Sequence, residues 1–191
     1  TNAHTLNLTG TNVGANTLAA AIGDNTGATS VTKTGAGTWN LSGTNTYTGA
    51  TTISAGTLEV TVGSAIGEIS AVSLASVAGA KLLVSSSETI GSLSGGTGAN
   101  GEVALGHNTL TTGDASTTTF GGTISGIAAM GGLVKQGTGV MNLDTTGVLT
   151  FDKLTANDGT LNVNSALGTG SGTAVVAVND TAGGADDRVS N

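Results

Sequence analysis

Residues 30–41, SVTKTGAGTWNL, return 102 positions later as GLVKQGTGVMNL, residues 132–143. The two stretches match Lys33 with Lys135, Gly35 with Gly137, Gly37 with Gly139, Asn40 with Asn142 and Leu41 with Leu143, and they set Trp39 against Met141. The same shift lays TLAAAI (17–22) over TFGGTI (119–124), and HTLNLTG near the start has a looser counterpart in HNTLTTG, residues 107–113. After one inserted residue AGTLEV (55–60) meets DGTLNV (158–163), which pairs Gly56 with Gly159 and Leu58 with Leu161. Two related modules, about 4–60 and 107–163, therefore flank a divergent middle, 61–106, within a single expected domain over 1–191. Duplication of short segments inside one chain is the mark of stacked architectures, in which each unit covers its neighbour.

The units read as strands. TLNL, TWNL, TLEV, VMNL and TLNV alternate apolar with polar residues, the period of a half-buried strand, and Gly, Asn, Ser or Thr clusters bound each run. Helix is disfavoured because Gly and β-branched residues both lower helix propensity. The Ala-rich stretch 69–84 is expected to supply two more strands, AVSL and KLLV. With 2% aromatic residues the chain lacks the large rings that anchor sandwich cores. The hairpin dipeptides Asn-Gly and Asp-Gly occur only at 100–101 and 158–159, too few for a meander. Thr and Asn at the polar strand positions can ladder by hydrogen bonds between neighbouring coils. The expectation is an all-β parallel β-helix, a β-solenoid of roughly eight or nine coils of about 20–24 residues each.

At this point a resemblance is specific. TKTGAGTWNLSGTNTYTGATTISAGTLEV, within 31–60, resembles the passenger-associated transport repeat, also described as the autotransporter-associated β-strand repeat. It carries a K-x-G-x-G turn, an apolar-x-L strand, SG-x-NTYTG and TTI-x-AGTL-x-V. The second copy, 133–163, keeps the first turn, NL and GTL-x-V but reads DTTGVLTFD where the first reads SG-x-NTYTG. The resemblance implies a right-handed β-helix in the secreted passenger of a type V (autotransporter) protein, at the cell surface of a Gram-negative bacterium. There the repeat is associated with translocation of the passenger. Absence of Cys and Pro suits a chain threaded unfolded through a barrel, where crosslinks and slow isomerisation would both obstruct.

Composition narrows the partners. Net charge is −7, and the five basic residues, Lys33, Lys81, Lys135, Lys153 and Arg188, are scattered singly, which argues against nucleic acid and anionic membrane. No apolar run reaches the about 18 residues of a membrane-spanning helix, so direct membrane insertion of this segment is not expected. Without Cys there is neither a disulfide framework nor a thiolate metal site.

His4 and His107 occupy similar places in the two modules, several coils apart, and read as surface or turn residues rather than a metal or acid–base pair. Asp186 and Asp187 evoke the carboxylates of polysaccharide-cleaving β-helices, but only Arg188 lies near, and GGADDRVSN reads as a solvated loop. GTGANG (96–101) fits G-x-G-x-x-G without a helix to follow it, and as a calcium nonapeptide it has Asn100 and Glu102 in the wrong slots; it reads as a turn. Trp39, Tyr47, Phe120 and Phe151 read as core or rim packing, not as a binding stripe. No catalytic, cofactor or metal residues are assigned. The residues expected to matter are the repeat turns and core: Lys33, Gly35, Gly37, Trp39, Leu41, Gly56, Leu58, Lys135, Gly137, Gly139, Met141, Leu143, Gly159 and Leu161.

The functional expectation is a non-catalytic stalk or scaffold of a surface-exposed passenger, supporting adhesion or display. Its partners are the neighbouring coils of a longer chain, since Thr1 and Asn191 fall inside the pattern, and its host-surface or cell–cell ligand is left open. Two alternatives stand beside it. One is a filament or surface-layer protein that self-associates through its solenoid ends; the other is a fragment of a polysaccharide- or peptide-cleaving β-helix.

Overall fold

The computed structural model describes residues 2–14, 16–127, 130–145, 149–164, 175–178 and 188–190. The chain winds through three columns of short parallel strands. In chain order the first turns hold β1 (His4–Leu8), β2 (Asn16–Leu18), β3 (Thr29–Lys33), β4 (Thr38–Leu41), β5 (Thr51–Ile53) and β6 (Thr57–Val60). The middle follows with β7 (Ala71–Leu74), β8 (Lys81–Val84), β9 (Glu88–Ile90), β10 (Ser92–Gly106), β11 (Thr109–Thr112) and β12 (Thr117–Gly126). The last part holds β13 (Gly132–Lys135), β14 (Val140–Leu143), β15 (Lys153–Ala156), β16 (Thr160–Val163), β17 (Val175–Val178) and β18 (Arg188–Ser190). No helix occurs among the described residues.

The first column stacks β1-β3-β5-β7-β10-β12-β14-β16-β18. The second stacks β2-β4-β6-β8 and continues into the far halves of β10 and β12, where Glu102 pairs with Lys81 and Thr123 with Glu102. The third stacks β9-β11-β13-β15-β17. AVSL and KLLV form β7 and β8, as their alternation predicts. Partners in the first column lie 20 residues apart at the shortest, Val31 with Thr51, and 25 at the longest in the turns up to β16, Leu6 with Val31. From β1 to β16 this column completes seven turns. The expected eight or nine counted all 191 residues, these seven run from β1 to β16, and β18 pairs in parallel beyond them.

The core is built of columns, because parallel in-register strands put like positions above like. One interior row runs Leu8, Lys33, Ile53, Leu74, Gly95, Phe120, Leu143 and Val163. A second runs Trp39, Leu58, Leu82, Val103 and Ile124. A third runs Leu110, Leu133 and Leu154. Aliphatic residues thus fill a core with few rings.

The GTGANG segment lies inside β10 rather than in an isolated loop. Its ladder to β12 shifts register between Gly95 and Thr97 and again between Thr97 and Glu102. Gly96, Gly98 and Gly101 take φ of +64°, +61° and +76° there, the left-handed region open to glycine, so the strand turns a corner without leaving the stack.

Candidate functional site: the buried polar corners

Each K-x-G-x-G turn closes around its lysine. Lys33 ends β3, is fully buried, and its ammonium donates to the carbonyl oxygens of Thr34 (3.0 Å), Gly35 (2.8 Å) and Ala55 (2.9 Å). Lys135 ends β13, is equally buried, and donates to Gln136 (2.8 Å), Gly137 (2.6 Å) and Asp158 (3.1 Å). Two acceptors come from the lysine's own turn and one from the next coil. An ammonium carries three donors and no acceptor, so the side chain fits a corner whose carbonyls converge inward. Burial lowers the Lys33 pKa below the ordinary lysine value, and the carbonyl dipoles take the place of a carboxylate partner.

The glycines make this cage possible. Gly56 and Gly159, at φ of +66° and +70°, bring the next coil down onto the lysine corner. A Cβ on Gly56 would sit 2.4 Å from the Gly35 oxygen and 2.7 Å from the Lys33 Nζ; on Gly159 it would sit 2.5 Å from the oxygens of both Gly137 and Gly139. Gly35 and Gly137 are left-handed at +72° and +74°. Gly37 and Gly139 serve by close approach, since a Cβ there would meet Asn12 O at 2.4 Å and Ser116 O at 2.0 Å.

The two copies do not occupy the same side of the solenoid. Lys33 and Leu41 stand in the first and second columns, whereas Lys135 and Leu143 stand in the third and first. The displacement of 102 residues is not a whole number of turns, so the second copy is set one column back. Interior placement survives the change: Leu41, Leu58, Leu143 and Leu161 are all fully buried, and Met141 is buried where Trp39 is half-buried. Trp39 caps its row, with Nε1 donating to Thr9 O at 2.9 Å.

A second polar column adds to the backbone bonds Thr46 N to Ile22 O (2.9 Å) and Asn45 N to Ser64 O (2.8 Å) where the early turns have no strand in the third column. Buried Asn45 accepts from Ile22 N at 2.7 Å and donates to Ala65 O at 2.5 Å, tying three coils together. One coil further on, buried Glu88 accepts from Ala65 N (3.1 Å) and Ile66 N (3.0 Å). Its pKa is pushed up to about 7, chiefly by burial, against the lowering effect of those two N–H donors. Beside it the buried Tyr47 hydroxyl meets Thr51 Oγ1 at 2.7 Å, Thr51 meets Ser70 Oγ at 2.9 Å, and Ser70 donates to Gly49 O at 2.8 Å. Burial pushes the Tyr47 phenol up to about 12. These residues explain SG-x-NTYTG, in which Asn45 and Tyr47 point inward between exposed Thr44, Thr46 and Thr48. Sequence reasoning recognised that string but missed its partners. Glu88, a carboxylate heading an apolar alternation, was a signal in the sequence.

The other candidates stay apart. His4 is exposed on β1, and His107 is exposed beyond β10 with Nδ1 against Met130 Sδ. Phe120 and Phe151 are buried in the core. Asp186 and Asp187 lie outside the described residues. Several of the described carboxylates do structural work: Glu59 accepts from Ser85 (2.7 Å), Glu102 pairs with Lys81 (3.2 Å) and Asp24 takes two contacts from Thr48 (3.1 and 2.6 Å). Asn162 donates to Asn142 at 2.8 Å, and Thr61 donates to Asn40 at 2.9 Å, so Asn and Thr do ladder between coils.

Comparison with known proteins agrees with this architecture. Residues 31–60 match the passenger-associated transport repeat family. Over 114 residues, 58% of this chain, the sequence is 42% identical to the adhesin BmaC autotransporter of Brucella suis biovar 1 (strain 1330). The matched stretch spans about 3% of that relative's length. No solved structure matches the chain.

Proposed function

We propose, for a chain that carries an autotransporter passenger repeat, that this segment is a non-catalytic scaffold. It holds adhesive parts of a secreted, surface-exposed passenger away from a Gram-negative cell and assists the folding of that passenger as it emerges. The carrying observation is that the repeat's shared features are internal, while its outward faces differ by one column. A unit repeated to present a ligand site to one partner would return on one side. A unit repeated to close corners has no such need, and Lys33 and Lys135 close the same cage on different sides. Stacking also suits folding during export, because each finished coil offers a complete ladder and an apolar row to the next. Most of the described carboxylates are engaged with loops and ladders, which supports a non-enzymatic role.

The test compares outward and inward substitutions in the full-length protein displayed on cells. Changing outward Thr32, Thr52 and Asn142 to Ala together should leave surface display intact, whereas Leu41→Asp should reduce it. Loss of adhesion with full display in the outward variant would place the ligand site on this segment. Specific turnover of a polysaccharide or peptide by the purified chain would overturn the non-catalytic reading.

A further inference from the structure

We propose that Glu88 makes the corner at residues 62–69 a proton-responsive latch, held shut by acid and loosened as the solution becomes neutral. The geometry is particular to this place. Ala65 and Ile66 are fully buried, and their N–H groups reach the Glu88 carboxylate one coil further on. The neighbouring coil holds the same corner from the other side, through Asn45 on the Ala65 carbonyl. Toward the next coil the latch is the Glu88 side chain, while toward the preceding coil Asn45 adds a backbone bond, its N–H donating to Ser64 O at 2.8 Å. Side-chain latches can titrate; ladders cannot.

The corner also carries a surface pocket of about 320 Å³, whose lining includes Thr44, Thr46, Ser64, Glu68 and Ile69. Ser64 holds a left-handed backbone at φ +66°, unusual for a residue with a Cβ, and donates to Glu68 at 3.1 Å. Ile69 is 69% exposed at the pocket edge. Opening of the corner would thus reshape a concave part of the surface. Two ionisable groups bear on Glu88. The Glu68 charge opposes its ionisation, and Tyr47, itself held neutral by burial, shares the interior beside it.

The sign follows from linkage. The Glu88 pKa stands at about 7 in the closed corner, against 4.5 for an ordinary glutamate. The closed corner therefore binds the proton more tightly than a water-filled open one. Its contribution to closure is full below the ordinary value and is lost as pH rises through the closed-state value. Opening should become easier by up to about two orders of magnitude across that window.

The experiment is hydrogen exchange on the full chain from pH 4.5 to 8, corrected for intrinsic exchange, reading the peptide that covers 62–69. In the parent its protection should fall by about tenfold to a hundredfold as pH rises, while peptides over β14 and β16 change little. Glu88→Gln should remove that fall, and Glu68→Gln should keep it with a midpoint at lower pH. Constant protection in the parent, or a full fall in the Glu88→Gln chain, would overturn the proposal. Direct titration of the Glu88 carboxyl by NMR in the parent needs no variant. A midpoint near that of an exposed glutamate would overturn the proposal as well.

Discussion

Lys33→Met isolates the ammonium, because methionine keeps most of the length and apolar stem of lysine while removing all three donors. The carbonyls of Thr34, Gly35 and Ala55 would then face a methyl group across 2.8 to 3.0 Å contacts now made by Nζ. Leaving a buried acceptor unmade costs about 1–3 kcal/mol. These three residues are half-buried, so the lower end applies and the gross loss is about 3 kcal/mol. Methionine no longer has to hold a charge out of water, which offsets part of that loss. A net destabilisation of about 2 kcal/mol is expected. Urea titration followed by circular dichroism should show a lower midpoint, and exchange should show the loss concentrated at residues 34–37 and 55–56, since stacked coils can open locally. Lys135→Met should cost a similar amount although it lies in another column. A Lys33→Met chain within about 0.5 kcal/mol of the parent would refute the cage as a source of stability, and so would a large loss at one lysine only.

Three further outcomes follow from the same geometry. Gly56→Ala should cost more than about 2 kcal/mol, because a left-handed φ and a 2.4 Å approach to Gly35 O act together; Gly79→Ala, at φ +85° with nothing within 4 Å, should cost only about 1 kcal/mol of backbone strain. Parallel thermal melts of the two variants decide the point, and equal shifts would mean the close approach relaxes freely. Leu41→Asp and Leu143→Asp should each cost several kcal/mol by burying an unpaired charge, and variants that melt like the parent would show the interior register to be wrong. Tyr47→Phe should lose about 1 kcal/mol, since Thr51 keeps its contact with Ser70; a loss above about 3 kcal/mol by denaturation would show the hydroxyl to be central to the column.

Local pattern was enough to fix the strand-forming runs, their parallel stacking and the turn glycines. Alternation in TWNL, VMNL and TLNV states which residues point inward, and Gly35 and Gly137 announce a turn that L-residues resist. The match of 31–60 to a known repeat rests on the same local chemistry. What the sequence could not state is where each unit lies around the axis. That depends on the summed lengths of all intervening turns, which vary from 20 to 25 residues within one column, so the spacing of two copies along the sequence does not state the column each one takes. Burial of Lys33 was hidden for a related reason. Its third acceptor, Ala55, belongs to the next coil, and lysine reads as a surface residue until that coil closes over it. Glu88 and Asn45 likewise acquire their roles only from residues 20 or more positions away. The sequence alone determined what each coil is made of; the tertiary stack decided which polar groups are shut inside it, because burial is set by the neighbour above and not by the residue itself.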